Sequence, residues 1–133
     1  MTATAKCHCG ATTVTLPDTP TEASECNCTF CRRTGALWAY YPPEAVTIEA
    51  GDNRMYSASD GVNRHHFCGT CGMHTHGSSP SWGEIYNLDG TPKDGHQPGD
   101  MPEARTAQVN VRMIDGLDLD GLKINKLDGL NSW

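Results

Sequence analysis

The chain has 133 residues, 37% of them hydrophobic and only 7% aromatic, with a formal charge of -6. That length holds about one domain, and so thin an apolar content leaves its folding to be helped by cross-links from metal or sulfur. The acidic balance, broken by no basic run longer than Arg32-Arg33, offers no footprint for a nucleic-acid backbone, and the apolar stretch at 36–41 is far short of the roughly 20 residues that span a bilayer.

Residues 1–10 lack a basic segment followed by an apolar one, so no secretory signal is read there and the reducing cytosol is the expected compartment. Residues 12–16, Thr-Thr-Val-Thr-Leu, alternate polar and apolar as a half-buried strand does, and Pro17 stops the run. A single helical turn is expected over 29–34, closed by Gly35. Further strands are expected at 37–41, 46–49, 54–57, 63–67, 73–76, 107–113 and 122–127. With 14 Gly and 8 Pro scattered along the chain, the pattern favours an all-β fold of short strands and tight turns. Residues 77–105 carry Gly and Pro too irregularly for a core element. They are expected to form a surface excursion, either a lid or a passive insertion, with Trp82, Ile85 and Tyr86 to pack it.

All seven cysteines fall into three tight clusters: Cys7-His8-Cys9, Cys26-Asn27-Cys28-Thr29-Phe30-Cys31 and Cys68-Gly69-Thr70-Cys71. Disulfides suit this pattern badly, because the count is odd and a C-x-C bridge is strained. Metal suits it well, since C-x-x-C on a turn aims two thiolates at a point about 2.3 Å from a zinc ion. Seven ligands divide into four and three, and a zinc held by three protein ligands keeps a position for water or substrate. The C-x-C-x-x-C run supplies three ligands from one segment, so Cys26, Cys28 and Cys31 are assigned to the open site, and Cys7, Cys9, Cys68 and Cys71 to the closed one. Spacing leaves two alternatives open: a histidine as eighth ligand, and a redox dithiol of Cys68 and Cys71, although no βαβ pattern surrounds that pair.

The runs Cys7-His8-Cys9-Gly10-Ala11, Cys26 to Gly35 and Phe67-Cys68-Gly69-Thr70-Cys71-Gly72 resemble the glutathione-dependent formaldehyde-activating enzyme family, which also includes centromere protein V. The likeness extends to His76 and resumes at Val109-Asn110-Val111, Leu117-Asp118 and Asp128-Gly129-Leu130-Asn131, covering most of the chain outside 77–105. It implies one zinc-binding β-tent domain over 1–133, a stack of antiparallel sheets with zinc-binding knuckles, carrying an inserted loop at 77–105. It also implies a structural zinc on Cys7, Cys9, Cys68 and Cys71, and a second zinc at a glutathione site on Cys26, Cys28 and Cys31, the catalytic cysteines. The implied activity is that of a carbon-sulfur lyase, reversibly joining glutathione and formaldehyde to S-hydroxymethylglutathione. The stretch after His76 is longer than in most members, and Leu130 stands where a basic or polar residue is common.

For that activity a substrate thiol would enter as fourth ligand of the open zinc and ionise there. Arg32 and Arg33 are candidates for pairing with glutathione carboxylates, because guanidinium matches a carboxylate bidentately; the competing reading puts one on the surface and the other in a structural pair. His65, His66, His74 and His76 are candidates for moving the hydroxyl proton of the adduct. On a regular strand His74 and His76 share a face, whereas His65 and His66 point oppositely. His8, between two ligands, is expected to hydrogen-bond near the structural zinc. Two further readings stand beside the enzyme: a non-catalytic zinc module that binds another protein, and a lyase acting on a different thiol or aldehyde.

Overall fold

The computed structural model describes residues 2–132. Ten strands run in the order β1 (Ala3–Lys6), β2 (Thr12–Leu16), β3 (Glu22–Cys26), β4 (Trp38–Tyr41), β5 (Thr47–Ala50), β6 (Asn53–Tyr56), β7 (Arg64–Cys68), β8 (His74–Pro80), β9 (Arg105–Asn110) and β10 (Lys123–Leu127). Two short helices, α1 (Thr29–Thr34) and α2 (Gly129–Ser132), complete an all-β fold. A three-stranded sheet, β1-β2-β5, packs against a seven-stranded one in the order β10-β3-β4-β9-β8-β7-β6. The ladders are antiparallel except where β10 lies parallel to β3.

The alternation of residues 12–16 does what it implies: Thr12, Val14 and Leu16 are buried, and Thr15 faces water. Val14 and Leu16 meet Ala23, Ala39, Tyr41 and Val109 of the large sheet, and Val111 just beyond it, in the core. The apolar stretch at 36–41 becomes the middle of that sheet, which is why it is buried apart from Tyr40. Two strands were not anticipated, β1 and β3. Ala-Thr-Ala-Lys and Glu-Ala-Ser-Glu-Cys are short of the β-branched and aromatic residues that mark strands, and both are held by pairing with distant segments. The last part of the strand expected at 107–113 is instead a 3-10 turn at Val111–Met113, where the Asn110 side chain accepts the Arg112 N–H.

His65 and His66 point to opposite faces as expected of a strand, but His74 and His76 do not share one. The β7–β8 register shifts between His66 and Phe67: His66 lies opposite His76, but Phe67 lies opposite His74. The extra residue, Thr75, is fully buried and bonds locally, its Oγ1 donating to the His66 carbonyl at 3.3 Å and lying 2.9 Å from His76 Nδ1. This bulge puts His74 and His76 on opposite faces. His66 and His76 stack, ring centroids 4.6 Å apart, while His74 sits with Phe67 and Phe30.

β8 continues through Gly77 to Pro80, so the link to β9 spans 81–104. Gly77 can be nothing larger there, since a Cβ would stand 2.6 Å from the Arg64 carbonyl oxygen and 2.8 Å from Gln108 Nε2. The link is tied down by its aromatics: Trp82 Nε1 donates to Asn63 Oδ1 and the Tyr86 hydroxyl donates to the Asp100 carbonyl, with Ile85 buried beneath them.

Candidate functional site

Two hairpin turns bring four sulfurs to one point. Cys7 and Cys9 lie between β1 and β2, while Cys68 ends β7 and Cys71 lies in the turn to β8. In each turn the glycine after the second cysteine, Gly10 or Gly72, has a left-handed φ of 80° or 76°. Its N–H returns to the carbonyl of the first cysteine, Gly10 to Cys7 and Gly72 to Cys68. The turn thereby curls both thiols inward, a conformation only glycine adopts without strain. Cys7 Sγ and Cys9 Sγ are 3.7 Å apart, and Cys9 Sγ and Cys68 Sγ 3.6 Å. Four sulfurs at about 2.3 Å from a tetrahedral zinc would stand about 3.8 Å from one another, so the donor set fits that ion.

Backbone N–H groups aimed at the sulfurs support the same reading. The N–H of Thr12 donates to Cys7 Sγ at 3.3 Å. The N–H groups of Cys9 and Met73 bring Cys71 down to about 6, and those of Cys71 and Thr70 lower Cys68. The Ala11 N–H favours the Cys9 thiolate, but burial and the crowded thiols of Cys68, Cys7 and Cys71 outweigh it and push Cys9 up to about 11. Protons shared among packed sulfurs in this way are what a soft divalent cation displaces.

The second cluster is built on the start of α1. Cys26 ends β3, Cys28 is the N-cap of α1, and Cys31 lies three residues on, in its first turn. Cys28 takes the place usually held by Ser or Asp: its Sγ accepts the Cys31 N–H at 3.3 Å. Residues three apart share one side of a helix, so Cys28 and Cys31 point together, and the Cys28 N–H donates to Cys26 Sγ at 3.4 Å. The three sulfurs lie within 4.8 Å of one another and could hold a metal ion. A hydrogen bond from Cys31 holds Cys26 down to about 5, while sharing that proton and burial raise Cys31. No histidine, aspartate or glutamate joins either group among the described residues. A histidine as eighth ligand is therefore not part of this geometry.

Three contacts around this second cluster have no counterpart in the sequence reading. The buried Trp38 donates its indole N–H to Cys31 Sγ at 3.4 Å. The backbone N–H of Gly129 donates to Cys26. Asn27 clasps the C-terminal segment, its Nδ2 donating to Asp128 Oδ1 at 2.9 Å and its Oδ1 accepting the Leu130 N–H at 3.0 Å. The adjacency of the Cys31 run to the apolar stretch at 36–41 was the available hint for Trp38.

Arg32 and Arg33 occupy the last turn of α1, both exposed, and neither forms an ion pair among the described residues. His65 touches residues that surround the three-cysteine cluster: its ring stacks on Phe30 at 3.8 Å and lies 6.1 Å from Trp38. Burial, with the His74 and His66 charges, lowers His65 to about 4. His66 and His76 point to the opposite face of the sheet. His8 is exposed in the β1–β2 turn.

A crystal structure of a Rhodobacter sphaeroides protein superposes on this fold with a TM-score of 0.61, at 23% sequence identity, covering 94% of this chain and 100% of the other. At that identity the likeness speaks for the fold alone. No curated protein matches the sequence. No helix among the described residues is long and apolar enough to cross a membrane. The family described as glutathione-dependent formaldehyde-activating enzyme matches residues 2–101, a span that contains all seven cysteines and both sulfur clusters. By that match the chain belongs to the glutathione-dependent formaldehyde-activating enzyme family.

Proposed function

We propose that this chain is a zinc-dependent carbon-sulfur lyase that reversibly joins a thiol, glutathione or one resembling it, to formaldehyde. Cys7, Cys9, Cys68 and Cys71 would hold a structural zinc, and Cys26, Cys28 and Cys31 an open one. The observation that carries this reading is the division of the seven thiols into a group of four and a group of three, with no further ligand beside the three among the described residues. Zinc at the three-thiol centre would supply a vacant coordination position where a substrate thiol gives up its proton.

The chain's own residues supply the rest. Cys28 and Cys31 are fixed by the first turn of α1, and Cys26 by its place at the end of β3, so the centre needs little reorganisation to receive a ligand. Trp38 stabilises negative charge on Cys31 through its N–H. Arg32 and Arg33, exposed and uncommitted to any acidic partner among the described residues, would meet the carboxylates of a peptide thiol. That pairing offsets the net charge of -6, which would otherwise repel an anionic substrate.

Exchange NMR on a mixture of glutathione and formaldehyde tests the proposal. Adding the zinc-loaded protein broadens the lines of the free and adduct forms, and a Cys28→Ser variant removes the broadening. Cobalt in place of zinc gives a spectrum that changes on adding glutathione. A protein that binds cobalt but answers to no thiol, and leaves the exchange rate untouched, is a zinc module without this activity. A response to another thiol only would keep the lyase and change its substrate.

A further inference from the structure

Where β3 and β4 part, a cavity of about 290 Å³ opens against Trp38, whose indole also reaches the three-cysteine centre. The two strands pair only at Ser24 and Trp38, and beyond that bridge the gap is lined by Glu22, Ser24, Trp38, Tyr40 and Asn125, among others. Trp38 forms its boundary with the centre, because the indole N–H reaches Cys31 Sγ. Tyr40 stands two residues further along β4, on the same face as Trp38. Nearly half of its surface is exposed, at 46%, yet its hydroxyl end sits among protein atoms beside the Ser24 hydroxyl. It is also near enough to feel the charges of Cys31, Cys26 and Cys28.

Adding a thiolate to an aldehyde develops negative charge on oxygen, one carbon from sulfur, and a donor placed there lowers the barrier. None of the four strand histidines lines this cavity. His65 is roofed by Phe30, His74 meets the edge of the same ring, and His66 and His76 stack on the opposite face. Tyr41, next in sequence, also borders the cavity, but its ring packs into the core from the other face of β4. Asn125 is engaged with Glu22 through a 3.2 Å hydrogen bond. The Tyr40 hydroxyl, more acidic than that of its neighbour Ser24, is the donor that lines the cavity within range of the cluster's charge.

Resting on the lyase reading above, we propose that this cavity receives the aldehyde and that Tyr40 donates its hydroxyl hydrogen to the aldehyde oxygen as the carbon-sulfur bond forms. A sulfur lone pair makes the new S–C bond, the carbonyl π pair moves onto oxygen, and oxygen takes the Tyr40 proton. Solvent at the cavity mouth returns a proton to the phenolate, balancing the one the thiol released on ionising. In the reverse direction the phenolate takes the adduct's hydroxyl proton, the C=O bond re-forms, and the electron pair of the S–C bond leaves with sulfur. Desolvation of the hydroxyl, with the nearby thiolate charges, pushes Tyr40 up to about 12, so it enters the forward step carrying its proton.

The test uses the full, metal-loaded chain and its Tyr40→Phe variant, which keeps the ring and removes only the hydroxyl. The variant is expected to bind glutathione as the wild type does, read from the cobalt spectrum, while its exchange rate with formaldehyde falls by about 100-fold. In wild-type protein carrying tyrosine labelled at the ring carbon that bears oxygen, the Tyr40 resonance shifts when glutathione and formaldehyde are present together, and stays put with glutathione alone. An exchange rate within about threefold of wild type overturns the proposal. So does a variant that no longer binds glutathione, because Tyr40 would then belong to the thiol site. Wild-type protein that shows neither exchange nor a thiol-dependent cobalt spectrum removes the lyase reading itself, and this proposal with it.

Discussion

Gly129 lies directly against the sulfur of Cys26: a Cβ at that position would stand 2.5 Å from Cys26 Sγ and 3.1 Å from Cys28 Cβ. The parallel pairing of β10 with β3 sets Leu127 opposite Cys26 and so delivers the next residues onto the cluster. A centre whose three ligands come from six consecutive residues is thus closed over by the far end of the chain, with Asn27 holding Asp128 and Leu130 in place.

A Gly129→Ala substitution is therefore expected to cost the three-cysteine centre its metal while the four-cysteine centre keeps its own. Metal analysis per chain after dialysis reads the difference, with far-UV circular dichroism to show that the sheets persist. Wild-type metal content at wild-type affinity would mean that the C-terminal segment moves aside freely, against the packing described.

The two clusters should separate in their effect on stability. Cys68 is fully buried at the junction of the two hairpin turns, and replacing it with serine should cost on the order of several kcal/mol, because binding at a closed site is coupled to folding. A drop in Tm of more than about 10 °C is expected. Cys28→Ser, at a half-buried site on a six-residue helix, should leave Tm within a few degrees of wild type and abolish catalysed exchange. Equal losses of Tm in the two variants would contradict this division of labour.

Trp38→Phe removes the N–H that Cys31 Sγ accepts and keeps most of the buried ring. Loss of such an outer contact typically weakens metal binding by about 10–100-fold. Chelator competition should show that loss at the three-cysteine centre alone. An affinity unchanged at both centres would mean that the indole serves packing only.

Burial, together with the charge of His66, holds His76 down to about 4, against an ordinary value of 6.5. The unfolded chain therefore binds a proton at His76 as the pH falls through 6.5, and the native chain does so only near 4. Its contribution to stability is whole above pH 6.5 and is lost on acidification between those values. His76→Gln should flatten the fall of the urea midpoint over that window. A wild-type and variant midpoint that decline in parallel would show that His76 accepts a proton without strain in the fold.

Much of this protein is local in origin and legible without coordinates. The three cysteine runs, the helical turn from Cys28 to the stop at Gly35, and the alternation of residues 12–16 each depend on near neighbours in sequence, and each takes the form its spacing implies. The grouping of four sulfurs and three is also as the spacing suggested. The opposite facing of His65 and His66 was legible, but that of His74 and His76 was not, because one extra residue, Thr75, inverts the phase of the strand after it, and a polar pattern does not announce a bulge.

The aim of each cysteine pair, then, was set by chain-neighbour chemistry, since a turn or a helix N-terminus suffices to bring cysteines two or three residues apart toward one point. What surrounds those ligands was decided by tertiary structure. Trp38 reaches Cys31 because β4 crosses beside β3, Gly129 covers Cys26 because β10 runs parallel to it, and the cavity at Tyr40 exists because β3 and β4 meet only once. Each of these depends on register between segments far apart in sequence, which sets side-chain facing across a sheet and leaves no periodic trace in either segment alone.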